Sequence, residues 1–232
     1  MSASPAPKYI IEHMEEDDDQ TRTLPPWVLL EYGQMLKVAS PSSTVGFTSL
    51  SASTHASIST QLDTVVSQTS SSSSKPPAKF FASKESILTY LASASPPIPI
   101  SKVCLLDPKA PKALCPEDGQ AGKFEFFLFG GILGDDPPRD RTGELRKLGF
   151  EGRHLRDVQM TTDTALHVTK LVVEDQIPLE DIKYVDYPTI TFNPRESVEM
   201  PFRYVADEKG EPILPEGMRK LLESDLNRTF EF

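Results

Sequence analysis

Strand-forming apolar runs and helix-forming segments succeed one another along most of this chain, and that alternation constrains its fold more than any other feature. KYIIEHM (Lys8 to Met14) reads as a first strand, and PPWVLLEYGQML as a helix with Pro26 near its start and Trp27, Leu30 and Leu36 on an inward face. KESILTYLAS reads as a helix, SKVCLLD as a buried strand ending at Asp107-Pro108, and KFEFFLFGG as a strongly apolar strand. RTGELRKLGF follows as a helix closed by Gly149, and the loop GRHLRDVQMTTDT leads into the helix TALHVTKLVVED. KYVDYP and MPFRYV read as strands, DEKG and EPILPEG as turns, and GMRKLLESDL as a last amphipathic helix. Successive βα units predict an α/β domain with a largely parallel sheet, whose ligands gather where strands run out into loops.

The domain is expected over residues 8–232 after a disordered tail at 1–7. From Ser40 to Ser74 more than half of the residues are Ser or Thr. Such a composition buries too little apolar surface to offset the entropy of ordering, so a flexible insertion is expected over about residues 40–76. Two islands interrupt it: VGFTSL (Val45 to Leu50) reads as a short strand and STQLDTVVS as a weak helix.

A formal net charge of -10 disfavours partners held through phosphates and favours a basic protein. No apolar run approaches the roughly 20 residues that span a bilayer, and the N-terminus lacks a signal-peptide core, so a soluble intracellular protein is expected. Two cysteines, Cys104 and Cys115, suggest neither a disulfide framework nor a four-ligand zinc site, and read as buried or free thiols.

The chemistry gathers in FGGILGDDPPRDR, Phe129 to Arg141. Glycines there admit positive φ and close approach of a ligand, although Gly130, Gly131 and Gly134 serve equally well simply to turn the chain. The spacing matches neither GxGxxG nor a P-loop, and Asp135, Asp136 and Asp140 repel phosphate. A ligand with an adenine, a ribose and a positive centre but no phosphate suits the loop better, and S-adenosylmethionine is such a ligand. In LRDVQMTTDTALHV, Thr161 or Thr162 can cap the following helix with Asp163 in its first turn, and capping alone accounts for TTDT.

Together FGGILGDDPPRDRT, QMTTDTA, KYIIEHMEE, WVLLEY, KVCLLDP, IKYVDYP, EMPFRYV and PILPEGM resemble the SPOUT-type protein arginine methyltransferases of fungi, from Lys8 to Met218. The resemblance implies a SPOUT α/β fold with a C-terminal trefoil knot, an exception to the rule that chains do not thread their own loops. It implies an enzyme that binds S-adenosylmethionine, releases S-adenosylhomocysteine, and methylates an arginine of a small-subunit ribosomal protein in the cytoplasm. It also favours a monomer. Three loops are expected to line the cofactor: Leu106, Asp107 and Pro108; Gly130, Gly131, Ile132, Leu133, Gly134 and Asp135; and Gln159, Met160, Thr161, Thr162 and Ala165.

A guanidinium with a pKa above about 12 arrives protonated and must be oriented and relieved of a proton, tasks suited to carboxylates. Asp135 and Asp140 are the first candidates, with Glu12 and Glu144 behind them. Each has a plain structural reading: Asp140 can pair with a neighbouring arginine, and Glu12 can lie on the surface. His13 is a lesser candidate, His167 is placed on the polar side of its helix without a role, and Phe202, Arg203 and Tyr204 are either walls for an arginine or a packed edge strand. The run Glu15, Glu16, Asp17, Asp18, Asp19 can attract a basic protein or simply be solvated. RNA methylation and non-catalytic binding are the competing functions, the first opposed by the acidity of the chain and the second by the presence of all three loops.

Overall fold

A computed structural model describes residues 6–14, 17–18, 23–69, 75–131, 140 and 142–229. The three apolar runs become adjacent strands: β1 (Lys8–Glu12), β4 (Val103–Leu106) and β5 (Phe126–Gly130). With β2 (Thr44–Thr48), β3 (Lys79–Ala82) and β6 (Glu151–Arg153) they form one sheet in the order β3-β2-β1-β5-β4-β6. Every pairing is parallel, with Tyr9 opposite Val45 on one side and Phe127 on the other. This is the α/β architecture expected from the alternation.

Because side chains alternate across a strand, each run feeds two cores. Tyr9, Ile11, Phe47, Cys104, Phe127 and Phe129 pack against α1 (Pro26–Val38), α2 (Ala52–Thr69) and α5 (Thr162–Val173). Ile10, Val103, Leu105, Phe126 and Leu128 face α3 (Ile87–Ser93) and α4 (Thr142–Lys147). Burial on both faces is what parallel strands require, and it explains why these runs are apolar nearly throughout. In α1 the inward face is carried by Val28, Tyr32, Met35 and Leu36; Trp27 and Leu30, expected beside Leu36, are only partly buried.

The Ser/Thr-rich stretch departs from its expected flexibility. Residues 44–48 form β2, an interior strand of the sheet, and residues 52–69 form the 18-residue helix α2. The two islands foreseen within the insertion are these elements. Composition argues for disorder only while apolar residues are too few, and here Val45, Phe47, Ile58 and Leu62 are fully buried at the spacing each element needs. The start of α2 is tied by Asp17, whose carboxylate accepts hydrogen bonds from Ser51, Ser53 and Thr54. Asp17 is therefore a structural acid rather than a solvated one. Glu15, Glu16 and Asp19 lie outside the described residues.

Beyond α5 the chain forms β7 (Tyr184–Asp186), an antiparallel hairpin of β8 (Thr189–Asn193) and β9 (Glu196–Glu199), β10 (Arg203–Val205) paired with β7, and α6 (Met218–Thr229) against α1. The hairpin, β3 and β6 have no counterpart in the sequence reading, since segments of three to five residues carry too little periodicity to separate strand from loop. No helix among the described residues is long and apolar enough to cross a membrane.

Candidate active site

The strands β1, β5 and β4 end side by side, and the chain leaves this edge in both directions, where parallel sheets leave a crevice. Here lies a cavity of about 340 Å3. Its walls come from Leu106, Asp107, Pro108 and Lys109 after β4, Phe129, Gly130 and Gly131 at the end of β5, Asp140, Thr142 and Arg146 around α4, the loop 155–160, and Thr162 and Ala165 of α5. The three predicted loops thus meet at one place although they are separated by up to about 50 residues. The volume falls within the roughly 300–1,000 Å3 of small-molecule sites.

Gly131 shapes the floor. Its φ is +65°, in the left-handed region, and a Cβ there would stand 2.9 Å from Cβ of Met14. Both features demand glycine. The Gly131 carbonyl accepts a buried hydrogen bond from Thr162 Oγ1 at 2.7 Å, tying the glycine turn to the first turn of α5. Thr161, expected in the lining, instead N-caps α5, and its hydroxyl donates to Thr164 Oγ1 at 2.8 Å. Met160 bridges to Arg203, whose N–H donates to the Gln159 carbonyl at 2.8 Å, so β10 braces the third loop from outside. Ile132, Leu133, Gly134 and Asp135 lie outside the described residues.

The charged wall is a four-membered cluster. Arg146 donates Nε to Asp107 Oδ2 at 2.5 Å and Nη2 to Asp107 Oδ1 at 2.7 Å, a bidentate pair on a carboxylate only 3% exposed. The same guanidinium reaches Asp140 at 3.1 and 3.2 Å, and Lys109 Nζ donates to Asp140 Oδ2 at 2.6 Å. Hydrogen bonds from Arg146 first, then from Lys109, hold the Asp140 carboxyl down at about 2. Asp140 is ionised throughout the physiological range. It can hold a cation but is a weak proton acceptor.

The remaining candidates lie elsewhere. Glu12 does not line the cavity: it accepts from Thr48 Oγ1, from Ser49 Oγ at 2.7 Å and from the Ile87 N–H at 3.0 Å, so it joins β1 and β2 to the start of α3. That geometry corrects its candidacy for substrate contact, because both of its oxygens are taken up inside the fold. Glu144 is solvated and paired with Lys147. His13 is buried with Nδ1 2.7 Å from the Tyr32 hydroxyl. His167 is half-buried rather than on a polar face, and burial lowers its pKa to about 4. Phe202 and Tyr204 are buried, and Arg203 pairs with Asp186 at 2.6 and 2.7 Å, so within MPFRYV the residues Arg203–Val205 form a packed strand and Phe202 packs just before it.

Lys109 and Arg146 escaped the sequence reading. Lys109 follows LLDP directly, and that adjacency was a usable signal. Arg146 looks like any cation on a short helix, and its main partner is 39 residues away.

The residues suit a neutral-edged, cationic-centred cofactor. Leu106, Phe129, Leu155, Val158, Met160 and Ala165 supply apolar walls. Gln159 adds a buried Nε2 that has no hydrogen-bond partner among the described residues, a donor awaiting an acceptor. No cluster of His, Cys, Asp and Glu among the described residues is arranged to hold a metal ion.

A family model described as protein arginine N-methyltransferase SFM1-like matches residues 8–229. Protein arginine N-methyltransferase SFM1 of Saccharomyces cerevisiae is 42% identical over 221 residues, spanning 94% of this chain and 95% of the relative. The crystal structure of the yeast arginine methyltransferase SFM1 complexed with SAM superposes with a TM-score of 0.78 at 42% identity, over 95% of this chain and 91% of that one. Its complex with SAH gives a TM-score of 0.75 at 42% identity, over 93% and 94% of the two chains. Near-complete coverage at this identity, on a fold whose strand ends converge on a fitting cavity, means that the chain belongs to the SFM1-like protein arginine N-methyltransferases.

Proposed function

We propose that this protein transfers the methyl group of S-adenosylmethionine to an arginine of a basic protein, a ribosomal protein of the small subunit, and does so as a monomer in the cytoplasm. The observation that carries the reading is the pairing of the Gly131 turn, whose left-handed backbone lets a ligand approach closely, with an ionised carboxylate, Asp140, on the wall of the same cavity. The cofactor supplies an electrophilic sulfonium methyl. Leu106, Pro108, Gly131, Met160 and Ala165 would enclose its adenosine, and Gln159 Nε2 would donate to one of its acceptors.

In the transfer the arginine nitrogen forms a bond to the methyl carbon while the sulfur–carbon bond breaks, leaving S-adenosylhomocysteine and a proton on the methylated guanidinium nitrogen. Asp140 orients the guanidinium and stabilises its charge. Its carboxyl, held at about 2, does not keep the released proton, which passes on to solvent. Positioning of this kind contributes several kcal/mol, up to about 7–11 in favourable cases. A C-terminal trefoil knot belongs to the same reading and is compatible with the hydrogen bonds from Thr162 to Gly131 and from the Arg203 N–H to Gln159, which link residues 131, 159–162 and 203 in series.

The deciding experiment supplies S-adenosylmethionine with a radiolabelled methyl group, small-subunit ribosomal proteins and ribosomal RNA to the purified enzyme. Label recovered as methylarginine supports the proposal. Label in RNA, or in neither pool, refutes it, and the net charge of -10 argues for protein.

A further inference from the structure

Asp140 lies on the cavity wall already holding a cation. The Lys109 ammonium donates to its Oδ2 at 2.6 Å, and the two side chains are 64% and 39% exposed. Arg146 touches both oxygens of Asp140 as well, at 3.1 and 3.2 Å, but its stronger attachment is the bidentate pair with Asp107. The two cations are therefore not equivalent. Arg146 is anchored on a carboxylate buried to 3% exposure, and breaking that pair would strand a desolvated charge. Among the described residues the Lys109 ammonium is held through an exposed ion pair alone, the kind that exchanges its partners at little cost.

We propose that Lys109 is a resident surrogate for the substrate guanidinium: it occupies Oδ2 of Asp140 until an incoming arginine displaces it, while Arg146 stays in place and positions the acid. The inference rests on the functional reading above and adds to it a residue that sets apparent substrate affinity. Among the described cavity-lining side chains Lys109, Arg146 and Arg156 balance Asp107, Asp140 and Asp157, so these six are formally neutral together. Removing Lys109 makes this set more negative by one charge and leaves Oδ2 of Asp140 with Arg146 Nη1 alone at 3.1 Å, opening room on it for a cationic substrate. Truncation of a charged active-site side chain ordinarily weakens substrate binding. Here the expected sign is the opposite.

The test uses full-length enzyme with Lys109→Ala and Lys109→Arg variants, a small-subunit ribosomal protein as methyl acceptor, and calorimetry with S-adenosylmethionine. Lys109→Ala should lower KM for the protein by about two- to fivefold, the worth of an exposed ion pair, with a smaller change in kcat. Lys109→Arg, which keeps a cation on Asp140, should show no such drop in KM, and the dissociation constant for S-adenosylmethionine should stay within about twofold in Lys109→Ala. The gain in Lys109→Ala should disappear when Asp140→Asn is added, since the two substitutions act on one contact. An unchanged or raised KM in Lys109→Ala overturns the inference while leaving methyl transfer to protein intact. So does weakened cofactor binding, which would assign Lys109 to the cofactor's carboxylate. If the wild-type enzyme labels no protein, the functional reading falls, and the role of Lys109 falls with it.

Discussion

Replacing Asp163 by asparagine should stabilise the protein, and only above a particular pH. Asp163 stands in the first turn of α5, where the helix dipole favours a negative charge, yet it is 3% exposed and its Oδ1 has no hydrogen-bond partner among the described residues. Burial wins and raises the carboxyl from its ordinary 3.8 to about 6, against the opposing pull of the polar groups of Thr161 and the Thr164 backbone beside it. Nearby lie the Tyr204 hydroxyl and Glu31, and the charge on both acids pushes the already desolvated Tyr204 hydroxyl further up. A carboxyl raised on folding binds protons more tightly in the native state. Its contribution to stability is complete below about pH 4 and is lost as pH rises from there through about 6, amounting to about 3 kcal/mol by pH 8.

In Asp163→Asn an uncharged amide of nearly the same shape replaces the buried carboxyl. Urea denaturation of both proteins should therefore give stabilities within about 0.5 kcal/mol of each other at pH 4, and an advantage for the variant that grows to about 2–3 kcal/mol at pH 8. His167 works in the other direction: burial lowers its pKa from 6.5 to about 4, so its contribution is complete above about 6.5 and is lost as pH falls towards 4. Taking the difference between variant and wild type at each pH removes that contribution. A difference that does not vary with pH, or a variant less stable at pH 8, would refute the account of Asp163 as a carboxyl penalised by burial.

Three other outcomes follow from the geometry. Gly131→Val should abolish measurable S-adenosylmethionine binding by calorimetry while circular dichroism still reports an α/β protein, because Cβ would meet Met14 at 2.9 Å on a backbone of φ +65°. Asp140→Asn should reduce kcat/KM for the protein substrate by about 10- to 100-fold, the worth of a charge-assisted hydrogen bond, and the rate should show no acidic limb from this residue above about pH 4. Gly119→Ala should destabilise the fold by about 1–3 kcal/mol in thermal melts, since its Cβ would lie 2.3 Å from the Val173 carbonyl oxygen at the end of α5.

Much of this protein was legible in its residues. The apolar runs at Lys8, Val103 and Phe126 announced buried strands, and the helices around Tyr32, Ile87 and Leu166 followed from their spacing and their caps. The motifs LLDP, GG and QMTTDTA supply half of the described residues lining the cavity, because loops that approach a ligand closely need glycine, proline and small residues wherever they lie in the fold. The Ser/Thr-rich stretch was misjudged because composition averages over residues: four apolar side chains in the right places outweigh a polar background. Tertiary structure alone decided which acid faces what. Glu12 and Asp140 look alike in the sequence, yet one is spent on Thr48, Ser49 and Ile87 and the other meets a cavity with Lys109 and Arg146 upon it. Periodicity and turn chemistry are local and can be read from neighbours in the chain. The charge, exposure and partners of an ionisable group depend on atoms dozens of residues away, and only the folded chain brings them together.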